Sequence, residues 1–136
     1  MEPQEKKIVL VTGASEGIGR AVAVKMAEEG NLIVINYRKN KEAAQETLKM
    51  VREAGGDGVI AQADVADPQQ VESLFARVKK KFGTVDILIN NAGIIKDKYL
   101  LMMTEEDFMD VINTNLGGCF HCTKAAVRLM VSNEKG

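Results

Sequence analysis

Three glycines stand at a spacing that can bind an anion through the backbone. Gly13, Gly17 and Gly19 lie in the run Thr-Gly-Ala-Ser-Glu-Gly-Ile-Gly, between an apolar segment and one with helical periodicity. In such a turn the first glycine turns the chain tightly, the second lets the backbone approach a pyrophosphate, and the third lets helix pack on sheet. A turn with only a structural role is the alternative. The pattern predicts a dinucleotide site that includes Gly13, Ser15, Glu16, Gly17, Ile18 and Gly19.

The same turn also fits the Gly-x-Ser-x-Gly pattern of hydrolases, with Ser15 as the nucleophile. That chemistry needs an acid and then a histidine later in the chain, and His121 is the only histidine. His121 lies between Phe120 and Cys122 in a predicted helix, and no glycine-rich oxyanion motif accompanies it. We therefore do not favour a serine hydrolase.

A metal site at residues 119–122 is also not favoured. Cys119, His121 and Cys122 are three potential ligands within four residues of one helix, so they cannot all face one ion. No second cluster completes a tetrahedral set. We expect no metal here, and we expect the two cysteines to pack in the core or an interface.

The end of the second apolar run bears on which dinucleotide binds. An acid at this position holds the ribose 2′-hydroxyl of NAD, whereas an arginine accommodates the 2′-phosphate of NADP. This chain has Tyr37, Arg38 and Lys39 there, which favours NADP(H) over NAD(H). Glu16 points the other way, because an acid repels a phosphate, and a solvated charged turn is the alternative for Arg38 and Lys39.

Two later turns supply further candidate cofactor contacts. Asp64 follows the third apolar run, where its carboxylate can accept a hydrogen bond from the adenine amino group and Val65 can pack beside the ring. An alternative for Asp64 is to cap the turn toward Asp67. After the fourth run, Asn91, Ala92 and Gly93 can line the ribose, although part of this signal suits a structural turn.

The elements that position these residues alternate along the chain. We predict strands at 8–12, 32–36, 59–63 and 85–90, and helices at 17–29, 41–54 and 68–82. A last helix is predicted from Thr104, with a capping box to Asp107, as far as Met130, with a break near 113–118. This order predicts a Rossmann-type α/β fold, a doubly wound parallel sheet with strand order 3-2-1-4 and flanking helices. Residues 1–136 are predicted to form a single dinucleotide-binding domain.

Composition excludes several other classes. With 18 Lys and Arg against 19 Asp and Glu, the net charge of −1 argues against nucleic acid as a partner. No apolar run is long enough for a membrane span, and the first residues have no apolar segment of a signal peptide. We expect a cytoplasmic protein, or one in an organelle matrix after removal of a transit peptide not present here.

Taken together, the motifs resemble the short-chain dehydrogenases/reductases. They are Thr12-Gly13-x-x-x-Gly17-x-Gly19, Asp64-Val65, Asn90-Asn91-Ala92-Gly93 and Asn113-Thr114-Asn115-Leu116. Within that family, residues 93–108 resemble the 3-oxoacyl-[acyl-carrier-protein] reductases. The resemblance implies NADPH-dependent reduction of a carrier-protein-linked 3-oxoacyl thioester in fatty-acid synthesis. It also implies a homotetramer in which the 105–130 helix forms a subunit interface.

The resemblance carries over only one member of the family's catalytic set. Asn115 matches the asparagine, whereas the serine and the Tyr-x-x-x-Lys pair are expected beyond Gly136. The literal Tyr37-x-x-x-Lys41 match lies at the end of the second strand, and we treat it as a coincidence. We therefore predict that the 136-residue chain alone is inactive. The alternatives are a non-catalytic dinucleotide-binding subunit that needs a partner, and another short-chain alcohol or sugar dehydrogenase.

Overall fold

Residues 5–134, which the computed structural model describes, contain four strands in one parallel sheet. The strands are β1 (Ile8–Val11), β2 (Leu32–Tyr37), β3 (Asp57–Gln62) and β4 (Ile87–Ile89). Their order is β3-β2-β1-β4, and all neighbouring strands are parallel. The predicted Rossmann-type sheet is therefore confirmed, and its order follows from right-handed crossovers on both sides of β1.

Helices cover both faces of this sheet. They are α1 (Gly17–Ala27), α2 (Lys41–Glu53), α3 (Pro68–Phe82), α4 (Glu105–Val111) and α5 (Gly118–Ser132). A 3₁₀ turn at Leu100–Met102 precedes α4, and a π-helical segment at Ile112–Gly117 joins α4 to α5. Since parallel strands are joined by crossovers, the turns that end the strands collect at one edge of the sheet.

The core has two halves, separated by the sheet. Leu10 of β1 packs with side chains of α3 and α5, whereas Val9 and Val11 pack with side chains of α1 and α2. All three are fully buried. Alternate residues of one strand thus contribute to opposite halves, which explains why the whole of β1 is apolar.

Two strands, β3 and β4, begin at residues other than those predicted, and the end of each strand differs by one residue. Pairing with Leu32 extends β3 back to Asp57, two residues before the predicted start. In β4 only residues 87–89 pair in the ladder, although the predicted strand began at Val85. Val85 is fully buried all the same, so its apolar character reports burial beneath the sheet rather than strand pairing.

The predicted break in the last helix is a change of helical type. Thr104 Oγ1 accepts a hydrogen bond from the Asp107 N–H at 3.0 Å, and the Asp107 carboxylate accepts one from the Thr104 N–H at 3.1 Å. This is the predicted capping box at the start of α4. The break predicted near 113–118 coincides with the π-helical segment, and such segments are frequent at functional sites.

Asp107 should make folding stability depend on pH. The Lys98 ammonium, 2.7 Å away, and the Thr104 N–H lower the pKa of Asp107 from 3.8 to about 2. Because the folded-state pKa is the lower one, Asp107 stabilises the fold above about pH 4, and this contribution is lost as the pH falls toward 2. The Asp107→Asn variant is therefore expected to have a lower urea midpoint at pH 6 and a smaller drop in midpoint between pH 6 and pH 3.

Urea unfolding at both pH values measures this effect. Asp97→Asn is the matched control, because Asp97 is exposed and forms no ion pair within residues 5–134. A drop in midpoint that is the same in Asp107→Asn and in the unsubstituted chain would contradict the assignment.

Candidate cofactor-binding site

A cavity of about 390 Å³ lies at the edge of the sheet where the strands end. Turns that follow all four strands line it, because the carboxyl ends of parallel strands meet at one edge. The sequence-predicted residues in its wall are Gly13, Ser15, Glu16, Arg38, Asp64, Val65, Asn91, Ala92 and Gly93. Asn36, Lys39, Asn40, Ala63, Ile94 and Thr114 complete the lining. The structure thus brings together residues as far apart in the chain as Gly13 and Thr114.

The three glycines have different surroundings. Gly13 has a φ of +61°, and a Cβ there would lie 2.9 Å from the Cα of Ala92. Gly17 has a φ of +59°, and a Cβ there would meet no heavy atom within 4 Å. A Cβ at Gly19 would collide with the carbonyl oxygen of Gly13 and lie 2.5 Å from Asn91 Nδ2. A tight turn, an open approach to backbone and a close packing contact therefore occur at three separate positions.

The backbone N–H groups at the start of α1 and in the turn before it form a run without hydrogen bonds of ordinary geometry within residues 5–134. None of residues 15–19 donates its N–H in a hydrogen bond of ordinary geometry to an acceptor within residues 5–134. Helix α1 begins at Gly17, and the Glu16 side chain caps none of these groups. Unpaired donors at a helix N-terminus favour an anion, so the turn fits the diphosphate of a dinucleotide.

Thr12 and Asn91 join the turn after β1 to the turn after β4. Thr12 Oγ1 accepts hydrogen bonds from the N–H groups of Asn91 and Ala92, both at 2.9 Å. In return, Asn91 Nδ2 donates to the carbonyl oxygens of Thr12 at 3.2 Å and Gly13 at 3.0 Å. These bonds fix the two turns relative to each other without a ligand.

Asn36 is a residue of the cavity that sequence reasoning missed. Its Oδ1 accepts from the Gly13 N–H at 3.2 Å, and its Nδ2 donates to the carbonyl oxygens of Ala61 and Ala63, both at 3.2 Å. The side chain therefore ties together the ends of β1, β2 and β3. A signal was present, because a polar residue in the otherwise apolar run 32–36 must find partners once it is buried.

Arg20 and Thr47 reach the glycine turn from α1 and α2, and neither was predicted. Arg20 Nη2 donates to the carbonyl oxygens of Ser15 at 2.7 Å and Ala43 at 3.0 Å, and Nε donates to Thr47 Oγ1 at 2.9 Å. The Thr47 hydroxyl lies 2.9 Å from the carbonyl oxygen of Ala14. Spacing cannot reveal this group of contacts, because it depends on how the two helices pack.

Side chains of both charge signs line the cavity. Arg38 and Lys39 are exposed and form no ion pair within residues 5–134. Glu16 and Asp64 line the same cavity. The Asp64 carboxylate accepts from the Ala66 N–H at 3.0 Å, so the turn-capping role considered for Asp64 is present alongside its position in the wall.

Asn115 lies beside the cavity rather than in its wall. It belongs to the π-helical segment, and its carboxamide binds both backbone groups of Ile94: Oδ1 accepts from the N–H at 2.8 Å and Nδ2 donates to the carbonyl oxygen at 3.1 Å. Ile94 itself lines the cavity. A smaller cavity of about 90 Å³ adjoins Asn115, Thr12 and Cys119.

Several residues singled out in the sequence lie elsewhere. Tyr37 is buried in the core beneath α1 and α2, and Ile18 is 76% exposed on α1; neither is in the cavity wall. His121 lies on α5 and does not line the cavity that contains Ser15. Burial raises the pKa of Cys122 to about 12, which disfavours the thiolate that a metal requires. Within residues 5–134 no group of three or more candidate ligands is placed to hold a metal ion.

Comparison with known proteins gives the family. The model of the short chain dehydrogenase family matches residues 7–136. The chain belongs to this family. The short-chain dehydrogenase described here is 42% identical over 130 residues to the 3-oxoacyl-[acyl-carrier-protein] reductase FabG of Staphylococcus aureus and, likewise, to the 3-oxoacyl-[acyl-carrier-protein] reductase of a Synechocystis species. Each alignment covers 96% of this chain and 53% of the relative, so the chain spans about half the length of these curated relatives.

Solved structures show the same fold. The crystal structure of the NADH-dependent reductase A1-R′, responsible for alginate metabolism, matches this short-chain dehydrogenase with a TM-score of 0.87 at 29% identity. That match covers 94% of this chain and 52% of the other. A mutant of the same reductase, described as a DEH reductase, matches with a TM-score of 0.88 at 30% identity. No helix within residues 5–134 has the length and apolar character needed to cross a membrane.

Proposed function

We propose that this chain is the NADP(H)-binding part of a short-chain reductase that acts on 3-oxoacyl thioesters of acyl carrier protein. The observation that supports the cofactor class best is the row of N–H groups at residues 15–19 without a hydrogen bond of ordinary geometry within residues 5–134, since Ser15 and Glu16 of this row line a cavity at the ends of the strands. In this proposal residues 1–136 form one dinucleotide-binding domain. The diphosphate lies against the glycine turn, and the adenosine lies toward Arg38, Asp64 and Val65.

The choice of NADP(H) rests on Arg38. Its guanidinium lines the cavity at the end of β2, is exposed, and has no carboxylate partner within residues 5–134, so it is available for bidentate pairing with a 2′-phosphate. Lys39 adds a second positive charge in the same wall. In this proposal, these two positive charges outweigh the one negative charge of Glu16, which lines the same cavity.

Binding of the two dinucleotides tests this choice. Arg38→Ala is expected to weaken NADPH binding by about tenfold or more and to leave NADH binding nearly unchanged, because only NADPH has the 2′-phosphate. Calorimetric titration of the purified chain with each dinucleotide measures both affinities. Arg52→Ala is the control. Arg52 lies on the surface of α2, pairs with Asp57 at the start of β3, and does not line the cavity. Equal losses for NADPH and NADH would refute the assignment.

The substrate class is proposed from the relatives named as 3-oxoacyl-[acyl-carrier-protein] reductases, at 41–42% identity. A bound NADPH would supply the hydride for reduction of the 3-oxo group. Asn115 is the one catalytic residue that we place in this chain, and its carboxamide holds the backbone of Ile94 at the cavity. The proton donor is proposed to come from the Tyr-x-x-x-Lys pair expected beyond Gly136.

A second copy of the chain is the proposed partner of the α4–α5 surface. Apolar side chains are exposed along α4, the π-helical segment and α5: Phe108, Met109, Leu116, Phe120, Val127 and Val131. Contiguous exposed apolar surface of this kind marks an interaction site. We propose that this surface pairs helices between subunits of a tetramer.

A second candidate is an NADH-dependent reductase of a sugar derivative. Two observations favour it: the reductase A1-R′ is named as NADH-dependent, and Glu16 places a negative charge in the cavity wall. The titrations above separate the candidates, because this second one requires NADH to bind more tightly than NADPH in the unsubstituted chain.

A further inference from the structure

The contacts of Arg20 and Thr47 determine which way two peptide groups of the glycine turn face. Arg20 Nη2 donates to the carbonyl oxygen of Ser15 at 2.7 Å. The Thr47 hydroxyl lies 2.9 Å from the carbonyl oxygen of Ala14. In a trans peptide the C=O and the N–H point in opposite directions. The N–H groups that share these peptides belong to Ser15 and Glu16, so holding the two carbonyls toward α2 turns both N–H groups away from α2.

Those two N–H groups are among the unpaired donors at the cavity. Ser15 and Glu16 both line it, and neither N–H donates a hydrogen bond of ordinary geometry within residues 5–134. Their orientation therefore decides whether the turn presents donors or carbonyl oxygens to an anion. Without Arg20 and Thr47, both peptide groups can rotate and direct an oxygen toward the ligand.

Arg20 also brings an uncompensated positive charge to this region. Within residues 5–134 it forms no ion pair, and all three of its hydrogen-bond partners are neutral oxygens. Thr47 is fully buried, so its contact with the guanidinium is shielded from water. A guanidinium fork suits this place better than an ammonium, because two nitrogens must reach separate acceptors at once.

We propose that Arg20 and Thr47 are positioning residues for a dinucleotide diphosphate, acting through the peptide groups of residues 14–16 without contact to the ligand. This inference rests on the proposed function, since it presumes that a dinucleotide binds the cavity. It assigns to the pair a role in affinity for one part of the ligand, in addition to any role in folding.

A comparison of two ligands tests the proposal. Arg20→Met is expected to weaken NADPH binding by about tenfold or more and to leave the binding of adenosine 2′-monophosphate, which lacks the diphosphate, unchanged. Arg20→Lys keeps the charge but not the fork, and it is expected to lose NADPH affinity to the same extent. Arg52→Met is the matched control and should bind both ligands as the unsubstituted chain does.

Substitutions at Thr47 test the proposal independently if the Arg20→Met variant does not fold. Thr47→Val removes the hydroxyl at nearly constant shape and is expected to weaken NADPH selectively, whereas Thr47→Ser restores the hydroxyl and the affinity. In the unsubstituted chain, NADPH is expected to slow hydrogen exchange of the Ser15 and Glu16 amides, because both become paired.

The outcomes separate this inference from the proposed function. NADPH binding that is unaffected in both Arg20→Met and Thr47→Val would overturn the inference alone. So would an equal loss of NADPH and adenosine 2′-monophosphate, which indicates a general structural role, and so would full NADPH affinity in Arg20→Lys. If the unsubstituted chain binds no dinucleotide, the proposed function fails, and the inference fails with it.

Discussion

The Gly19→Ala variant is expected to unfold at a much lower urea concentration than the unsubstituted chain and to lose measurable NADPH binding. The new methyl group would collide with the carbonyl oxygen of Gly13, and it would lie 2.9 Å from the Cα of Ala14. These atoms are backbone, so they cannot move aside as a flexible side chain would. Relief requires α1 to shift away from the turn, at an expected cost of about 3 kcal/mol or more.

Loss of binding follows from the same displacement. The unpaired N–H groups of residues 15–19 belong to the turn and the first residues of α1, so a shift of the helix changes the spacing of the donors. Urea unfolding gives the change in stability, and titration at low urea gives the change in NADPH affinity. The two measurements on one variant link packing of the helix to geometry of the site.

Gly117→Ala is the matched control for this substitution. Gly117 is also helical, with a φ of −61°, and a Cβ there would have its nearest neighbour at 3.8 Å, an ordinary contact. Its free energy of unfolding should differ from that of the unsubstituted chain by no more than about 0.5 kcal/mol. A Gly19→Ala variant as stable as Gly117→Ala would show that α1 does not need this close approach.

The glycine turn was predictable because its evidence is local. Gly13, Gly17 and Gly19 were assigned three roles from their spacing and from the apolar run before them, and the structure gives them three matching environments. A turn between a strand and a helix leaves few ways for the backbone to proceed. The strand order was predictable for a similar reason, because the handedness of crossovers excludes most arrangements.

The contacts of Arg20 and Thr47 with the glycine turn were not predictable in the same way. Arg20 reads as an ordinary charged helix residue, and Thr47 as a polar position in a strongly charged helix. Their roles arise only when α1 and α2 pack side by side and Arg20 reaches the carbonyl oxygens of Ser15 and Ala43. Such contacts are set by tertiary packing, which sequence spacing does not encode.

The exact first and last residues of the strands were also not predictable from the sequence. The apolar run 85–90 predicted a six-residue strand, but only Ile87–Ile89 pair with β1. Hydrophobicity reports burial and not hydrogen-bond pairing, and Val85 is buried without belonging to the ladder. Tyr37 is a different case: its position next to Arg38 predicts a cofactor contact, whereas its side chain packs in the core and its backbone pairs with β3.

The largest difference in activity is expected between the unsubstituted 136-residue chain and a relative of full length. The purified 136-residue chain is expected to bind NADPH and yet to oxidise none of it when a 3-oxoacyl thioester of acyl carrier protein is added. Reduction of the ketone needs a proton donor within hydrogen-bond reach of the developing alkoxide. The Asn115 carboxamide has no acidic proton to give, and both its polar atoms are bound to Ile94.

Tyr37 and Cys122 are both poorly placed to supply that proton. Tyr37 is buried beneath α1 and α2, on the opposite side of the sheet from α5. Desolvation holds the pKa of Cys122 at about 12, and its thiol is fully buried. Beside Asn115, Thr12 and Asn90 offer a hydroxyl and an amide that already make hydrogen bonds. Cys119 lines the same small cavity with a free, exposed thiol, and Cys119→Ala in the same assay tests whether it contributes a proton.

The absorbance of NADPH during incubation with the thioester measures turnover. The positive control is the reductase FabG of Staphylococcus aureus, which is 42% identical to this chain over the shared half. Since general acid catalysis contributes about 10² to 10⁴ in rate, turnover by the chain should be at least about a hundredfold slower than that of the control. NADPH binding on the same sample shows that the chain is folded. Turnover near the rate of the control would mean that residues 1–136 contain a proton donor, and the assignment of catalysis to Asn115 with residues beyond Gly136 would then be wrong.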